Sequence, residues 1–125
     1  MRFMMLLPAP AQALEACAIP PTEIVIAMRK FNQEMAKANV LLTAEGLHPS
    51  SKGTRIRVSG GKRVVTDGPF SESKELIAGF WIIQVKSKEE AIQLAKDFLK
   101  VVGEGECELR QIYEAGNCAD AAAAH

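Results

Sequence analysis

The run from Ile77 to Val85 limits the folds open to this chain more than any other feature, because apolar residues occupy both of its alternating phases. Successive side chains of a β-strand point to opposite faces of the sheet. A strand with this pattern must therefore be covered on both faces. We expect it to lie inside a sheet that carries helices on one side and further protein on the other.

Two stretches have the spacing of amphipathic helices, with apolar residues three or four positions apart. The stripe of the first comprises Ile24, Met28, Phe31, Met35 and Ala38. Thr22 is placed to cap its start, and Asn39 suits the left-handed position after its end. The stripe of the second comprises Ala91, Leu94, Ala95 and Phe98. Ser87 to Glu90 fit a capping box before this second helix, and Gly103 ends it.

Strand patterns at residues 2–7, 40–44 and 107–113 flank these helices, so the order is β-α-β, an insertion, then β-α-β. Two such halves predict an α+β, ferredoxin-like βαβ-βαβ sandwich, with both helices on one face of an antiparallel sheet. The domain is expected to span residues 1–114. Residues 115–125 have no periodic pattern and are expected to form a disordered tail.

The insertion has the pattern of a β-hairpin. Two alternating runs, residues 54–58 and 62–66, flank Gly60-Gly61. We expect half-buried strands whose outward face carries Arg55, Arg57 and Arg63. Such a face either meets an anionic ligand or partner, or serves as a charged edge that discourages aggregation.

A sheet with both helices on one face leaves its other face uncovered, although its central strand is apolar on both phases. Pairing of two such faces removes the apolar surface from water. The sequence therefore predicts a homodimer through the open sheet face.

The charge balance excludes some functions. The chain has 15 basic and 15 acidic residues, so bulk electrostatic binding of nucleic acid is not expected. No apolar run has the roughly 20 residues of a membrane span, and the run before Pro8 is shorter than the roughly 7–15 residues of a signal-peptide core. Three cysteines without a CxxC pair are typical of reduced thiols. We expect a cytoplasmic protein that does not act at a membrane.

Asp67 is the main candidate for chemistry, with His48 as its candidate partner. Asp67 ends a predicted strand, and the following Gly68-Pro69 turn fixes its direction. A carboxylate there can act as a general base or bind a hydroxyl or amine, or it can simply bond its own backbone amides. His48 lies in a loop before a proline; it can move a proton near neutral pH or can simply be solvated.

Other residues of these loops add candidate ligand contacts: Glu45, Gly68, Pro69, Glu72 and Lys74. The alternative for Glu72 and Lys74 is a solvated helical turn. With two histidines in all and no dinucleotide- or phosphate-binding glycine motif, we expect neither a metal site nor a cofactor.

The segment Asp67-Gly68-Pro69-Phe70-Ser71-Glu72-Ser73-Lys74-Glu75 resembles the signature of the DGPF (DGPFAETKE) family, a branch of the YCII-related proteins. Ser71 stands where that signature usually has Ala, and Ser73 where it has Thr. The segments Glu45 to Ser50 and Gly79 to Trp81 resemble two further blocks of the family, and the likeness runs from Met1 to about residue 114.

The resemblance implies a dimeric α/β barrel built from two ferredoxin-like subunits. Most members of the family have no assigned activity, and genomic context links some to extracytoplasmic-function sigma factors. YCII-like relatives carry a His/Asp pair proposed as an active site, and similar barrels include muconolactone isomerase. His48 stands at a position that the family does not fix as histidine, so only the Asp-Gly-Pro element is carried over directly.

Three hypotheses follow. The first is a protein that binds a small polar molecule at Asp67, with cofactor-free acid/base chemistry of the isomerase or lyase kind. The second is a non-catalytic regulatory dimer associated with a sigma factor, which does not itself bind DNA. The third is a structural interaction module without a pocket. Function usually sits on loops rich in ionisable groups, which favours the first.

Overall fold

The doubly apolar run forms the central strand of a four-stranded sheet in the computed structural model, which describes residues 1–10, 21–70, 75–103 and 105–114. The strands are β1 (Arg2–Pro10), β2 (Leu41–Gly46), β3 (Thr54–Ser59), β4 (Lys62–Asp67), β5 (Glu75–Gln84) and β6 (Glu108–Gln111). The helices are α1 (Thr22–Lys37) and α2 (Lys88–Val102), with a single 3-10 turn at Ser50–Lys52. The tail expected at 115–125 and residues 71–74 of the helical turn expected at 71–75 lie outside the described residues, and Glu75 is the first residue of β5.

The main sheet has the order β2-β5-β1-β6, and every neighbouring pair is antiparallel. This order, with α1 between β1 and β2 and α2 between β5 and β6, confirms the predicted ferredoxin-like α+β arrangement. The first strand extends beyond residue 7 to Pro10, because a register shift at Leu7/Pro8 lets the chain stay paired with β5 past the first proline. The last strand is shorter than the predicted 107–113.

One face of the sheet packs against the helices. Phe3, Met5, Trp81 and Ile83 alternate along β1 and β5 and are buried there with Phe98 of α2. The rings of Trp81 and Phe98 lie 4.5 Å apart between centroids, in the tilted arrangement that aromatic pairs prefer. Trp81 Nε1 donates a hydrogen bond of 3.0 Å to Asn32 Oδ1, which satisfies the buried indole from α1.

The opposite face carries the other phase of the same strands, and we call it the open sheet face. Its centre consists of Met4, Leu6, Phe80 and Ile82, all of which are half-buried. Phe80 lies opposite Leu6, and Ile82 lies opposite Met4. At the two edges, Glu45 of β2 lies opposite Phe80 and Glu108 of β6 lies opposite Leu6. The row of four opposed residues across this face therefore has a carboxylate at each end and two apolar side chains between them.

The helix ends follow the predicted signals in part. Ser87 Oγ accepts from the backbone N–H of Glu90 over 3.2 Å, as a capping box requires, while the Glu90 carboxylate accepts from Lys86 N–H. Asn39 has a φ of 59°, which confirms its left-handed position. The expected capping role of Thr22 is wrong. Thr22 is already the first helical residue, and the N-cap position belongs to Pro21, which makes no side-chain capping bond.

The inserted hairpin, β3 and β4 with their turn at Gly60-Gly61, is here called the arm. Both glycines have positive φ, at 58° and 80°, which a two-residue turn of this kind requires. All residues of both strands are exposed, so the expectation of half-buried strands is wrong.

The prediction that Arg55, Arg57 and Arg63 share one face of the arm is also wrong. The two-residue turn pairs Ser59 with Lys62, which places Arg63 opposite Val58 and Arg57 opposite Val64. Residues directly opposite each other share a face, so Arg63 lies on one face of the arm and Arg57 lies on the other.

The remaining sequence expectations concern thiols, metals and membranes. Burial raises the pKa of the Cys107 thiol, and the neighbouring Glu106 raises it further, which keeps the sulfur protonated beside the core. In the part of the chain that the structure describes, no cluster of three potential metal ligands occurs. No helix among the described segments is both long enough and apolar enough to cross a bilayer.

Replacement of Phe98 by alanine should destabilise the domain by about 3–5 kcal/mol, because it removes a ring that is 0% exposed and touches Trp81 and Phe31. Urea unfolding followed by the fluorescence of Trp81 measures this loss. Ile92→Ala on the same helix is the matched control, since Ile92 is 37% exposed and should lose about 1 kcal/mol or less. Equal losses in both variants would contradict the core described above.

Arg2 and Glu114 tie the first strand to the segment after β6. Arg2 donates from Nε and Nη2 to the two carboxylate oxygens of Glu114, over 2.7 and 3.2 Å. These bonds and the positive charge of Arg2 lower the pKa of Glu114 below its ordinary range. A carboxyl whose folded pKa is lowered stabilises the fold above its unfolded pKa, about 4.3, and this contribution disappears as the pH falls through the folded value.

Glu114→Gln should therefore make the free energy of unfolding fall less steeply as the pH is lowered from about 4.3. The measurement is urea unfolding over a series of acidic buffers. Glu108→Gln is the control, because its carboxylate lies 3.7 Å from Arg110 in an exposed pair and should contribute little. Identical acid profiles for Glu114→Gln and the unaltered protein would show that the pair does not stabilise the fold.

Candidate functional site

The Asp67-Gly68-Pro69-Phe70 segment is fixed at the base of the arm by bonds to the 3-10 turn. Gly68 N–H donates to the carbonyl of Gly53 over 2.9 Å. Phe70 N–H donates to Ser50 Oγ over 3.0 Å, and the ring of Phe70 is buried. The two segments, which are about 18 residues apart in the chain, therefore form one rigid unit.

Gly68 is required by close contact. A Cβ at this position would overlap the carbonyl oxygen of Ser50, which is backbone and cannot swing away. The following peptide bond, Gly68-Pro69, is cis, and Pro69 itself is exposed. The close contact of Gly68 with Ser50 holds the chain in place here. The predicted contact of Gly68 and Pro69 with a ligand stays a prediction.

Arg55 covers the buried phenylalanine. Its guanidinium carbon lies 3.9 Å from the centroid of the Phe70 ring, in cation–π geometry. The sequence placed Arg55 on an outward face for ligands or solvent. In the structure it connects β3 to the turn that follows β4, so it belongs to the anchor of the arm.

Asp67 is the reactive group that this anchor leaves exposed. The carboxylate accepts a hydrogen bond of 3.1 Å from the hydroxyl of Thr54, directly opposite on β3. That bond occupies one lone pair and orients the carboxylate, whose remaining acceptor sites face solvent. The geometry differs from a turn aspartate that caps its own backbone amides, because the partner lies across the strand pair.

His48 lies on the loop that leads into the same 3-10 turn and is exposed. It stands two residues before Ser50, whose carbonyl packs on Gly68, so the His48 loop and the Asp67 turn are joined through this contact. Within the described residues, no hydrogen bond or ion pair joins His48 to Asp67. The predicted residues are therefore on adjoining loops and do not form a bonded dyad.

Glu45 lies near the end of β2, the strand that precedes the His48 loop, and it stands at an edge of the open sheet face. The β2 backbone passes so close to β5 here that a Cβ on Gly79 would lie 2.8 Å from the carbonyl oxygen of Glu45. Glu72 and Lys74, the other predicted ligand contacts, lie outside the described residues.

Sequence reasoning missed the residues that build this anchor: Ser50, Thr54, Arg55 and Phe70 as contact partners. Ser50 belongs to the segment Glu45 to Ser50, and Phe70 belongs to the segment Asp67 to Glu75. Both segments resemble blocks of one family, and this shared resemblance was the available signal that they are in contact. Nothing in the local pattern of Thr54 or Arg55 distinguishes them from other residues of an exposed hairpin.

Two clefts that the described residues line lie at the other end of the sheet. The larger, about 1040 Å³, is a shallow groove along the start of β2 and the end of β5, with Met1, Leu41, Gln84 and Lys86 on its walls. The smaller, about 350 Å³, lies beside the Arg2–Glu114 pair. β2 runs roughly 15 Å between the groove and the His48 loop, so neither cleft is the predicted pocket at Asp67.

A model of the YCII-related domain matches residues 1–115, which is nearly all of the chain. The chain belongs to the YCII-related family. Among curated proteins it is similar to the uncharacterised protein R00369 of Rhizobium meliloti (strain 1021), at 41% identity over 51 residues. That alignment spans 41% of each protein, so it covers less than half of the relative's length.

Among solved structures, the chain is similar to 5-chloro-2-hydroxyhydroquinone dehydrochlorinase (TftG) from Burkholderia phenoliruptrix AC1100, determined in complex with 2,5-dihydroxybenzoquinone. The TM-score is 0.49 at 10% identity, over 89% of this chain and 92% of that one. Neither relative assigns an activity to this YCII-related protein.

Replacing Gly68 by alanine should destabilise the protein by about 2 kcal/mol or more, because the new methyl group forces the Ser50 backbone away. Gly46→Ala is the matched control: a Cβ there meets nothing within 4 Å, and its φ is not positive. The control should leave stability unchanged or raise it by up to about 1 kcal/mol. Urea unfolding distinguishes the two, and a tolerated Gly68→Ala would disprove the close contact.

Proposed function

We propose that this YCII-related protein is a member of the DGPF branch and that it binds a small polar molecule at Asp67. The observation that carries the proposal is an exposed carboxylate held in one direction by the Thr54 hydroxyl, on a turn that packing keeps rigid. An oriented acceptor on a rigid support binds a ligand with little loss of its own freedom. A flexible surface aspartate lacks this advantage.

The chemistry of the group defines the ligand class. An ionised carboxylate accepts hydrogen bonds and attracts positive charge, so the expected ligands carry a hydroxyl or a protonated amine. Amines and polyhydroxylated or phenolic compounds are therefore the first classes to test. Simple carboxylates test the alternative that the neighbouring His48 recognises an anion, and lactones test a neutral ligand that offers acceptors without a hydroxyl or amine donor.

Acid/base chemistry without a cofactor is the further part of this proposal. Asp67 would take a proton from the bound molecule, and His48 on the adjoining loop would return one to a neighbouring atom, as in an isomerase or lyase. His48→Gln separates this role from binding. If His48 acts in turnover, the variant binds the ligand as the unaltered protein does but turns it over at least about tenfold more slowly.

We also propose that the protein is a homodimer through the open sheet face. Met4, Leu6, Phe80 and Ile82 form an apolar centre there, on the side of the sheet opposite the helices. A second copy that covers this centre removes it from water in both molecules at once, since a two-fold axis uses the same surface twice.

Thermal-shift measurements with the unaltered protein and Asp67→Asn test the proposed site. A ligand at one hundred times its Kd adds about 2.7 kcal/mol of stability, which raises the melting temperature measurably. Asn keeps an oxygen that accepts from Thr54 but removes the charge, so the fold should persist while stabilisation by amines is lost. Asp97→Asn, on α2 and bonded to Gln93, is the control and should respond to ligands as the unaltered protein does.

A compound that stabilises Asp67→Asn as strongly as the unaltered protein binds elsewhere and contradicts the site. If none of the four classes stabilises the unaltered protein, the small-molecule proposal fails. Capture of a protein partner, such as a sigma factor, then becomes the function to examine.

A further inference from the structure

Lys52 brings a positive charge to the rigid unit that carries Asp67. It is the last residue of the 3-10 turn, and its side chain is exposed. Its N–H donates to the carbonyl of Pro49 over 3.0 Å, and the N–H of Gly53 donates to the carbonyl of Ser50 over 2.8 Å. These two bonds fix the backbone from which the lysine side chain extends.

The backbone of Lys52 lies beside the Asp67 turn. Gly53, the next residue, accepts at its carbonyl the 2.9 Å hydrogen bond from the N–H of Gly68. Thr54, two residues after Lys52, donates to the Asp67 carboxylate. Consecutive Cα atoms are 3.80 Å apart, so the Cα of Lys52 lies at most about 7.6 Å from that of Thr54. The lysine therefore extends from the immediate neighbourhood of the carboxylate.

The two opposite charges are close but are not paired. Among the residues that the structure describes, no ion pair or hydrogen bond involves the Lys52 ammonium, and no cation is paired with Asp67. A gap therefore remains between an oriented carboxylate and an ammonium on a flexible four-carbon stem. A molecule with a donor group at one end and a negative charge at the other matches both groups at once.

The surroundings of Asp67 are basic. The chain has no acidic residue from position 46 to position 66, and its five basic residues there are Lys52, Arg55, Arg57, Lys62 and Arg63. Five positive charges less the one negative charge of Asp67 give +4 for positions 46–67, in a chain whose net charge is 0. The fields of these groups add, so they attract a negative group and repel a ligand that is only positive.

The basic residues of the arm itself stand farther from the Asp67 carboxylate. Arg55 and Arg57 belong to the opposite face of the arm. The other two stand at its tip, roughly 14–17 Å from Asp67 along β4. Lys52, at the base of the arm, is thus the basic residue placed to contact a small molecule bound at Asp67.

We infer that Lys52 is a specificity-determining residue of the candidate site, and that the ligand is a small amino or hydroxy carboxylic acid. The amine or hydroxyl of the ligand donates to Asp67, and its carboxylate binds the Lys52 ammonium. The inference rests on the ligand site proposed above and names the chemical class that this site takes. One ammonium balances one negative charge, so a carboxylate fits better than a phosphate of nearly twice that charge.

Pairs of ligands that differ only in the carboxylate test the inference. The pairs are 4-aminobutanoate with butylamine and 6-aminohexanoate with hexylamine, titrated into isotope-labelled protein and followed by the NMR signals of the Gly68 and Phe70 amides. In at least one pair the amino acid should bind the unaltered protein about three- to fivefold more tightly than the amine, the gain expected of one solvent-exposed ion pair.

Lys52→Gln and Lys62→Gln are matched variants, because each removes one exposed positive charge from the same basic stretch. Lys52→Gln should abolish the advantage of the amino acid, and it should leave the affinity for the amine unchanged or higher, since a repelling charge is gone. Lys62→Gln, at the tip of the arm, should keep the advantage. A general loss of structure would instead weaken the binding of both ligands.

Equal affinities for amino acid and amine in the unaltered protein would overturn the inference and leave an amine site at Asp67 intact. An advantage that persists in Lys52→Gln, or that disappears in His48→Gln instead, would also overturn it. Binding of polyhydroxylated or phenolic compounds at Asp67, with neither member of any pair bound, would overturn the ligand class and leave the proposed site standing. The proposed site itself fails only if no class of ligand binds there.

Discussion

The close approach of Gly68 to the carbonyl of Ser50 is the contact on which the geometry of the candidate site depends. It leaves no room for a side chain, and it brings together two segments that follow different strands. The bond from Phe70 N–H to Ser50 Oγ and the burial of the Phe70 ring reinforce it. Because of this contact, the loop with His48 and the turn with Asp67 are parts of one rigid unit.

The Asp-Gly-Pro-Phe segment thus combines one reactive group with an anchor. Gly68 provides close packing, Phe70 provides burial, and Arg55 covers the phenylalanine from the arm. Only Asp67 directs a functional group to solvent, and it is oriented across the strands by Thr54. A strongly patterned sequence motif can therefore arise mostly from packing needs.

The sheet is divided in a similar way. One phase of β1 and β5 forms the core with the helices, while the other phase forms an apolar centre between Glu45 and Glu108. The arm adds a second apolar surface, held away from the chain's own body.

Local pattern determined the order of elements in this protein. The 3.6-residue and two-residue periodicities around Met35, Phe98 and Ile83 placed the helices and strands, because burial of one stripe or phase is a local requirement. Gly60-Gly61 likewise set the hairpin turn, and Ser87 set a helix start.

Only the tertiary structure decided which residues meet. The pairing of Ser59 with Lys62 places Arg63 on the face of the arm opposite Arg57. A shift of one residue in the register between the two strands would reverse this, and the alternation within each strand does not reveal the register. The packing of Gly68 on Ser50, and of Arg55 on Phe70, joins residues far apart in the chain, and such contacts leave no local period. The sequence by itself thus identified Asp67 as a candidate functional residue. The fold determined that its neighbours are Thr54 and an exposed apolar arm, because long-range packing is a property of the whole chain.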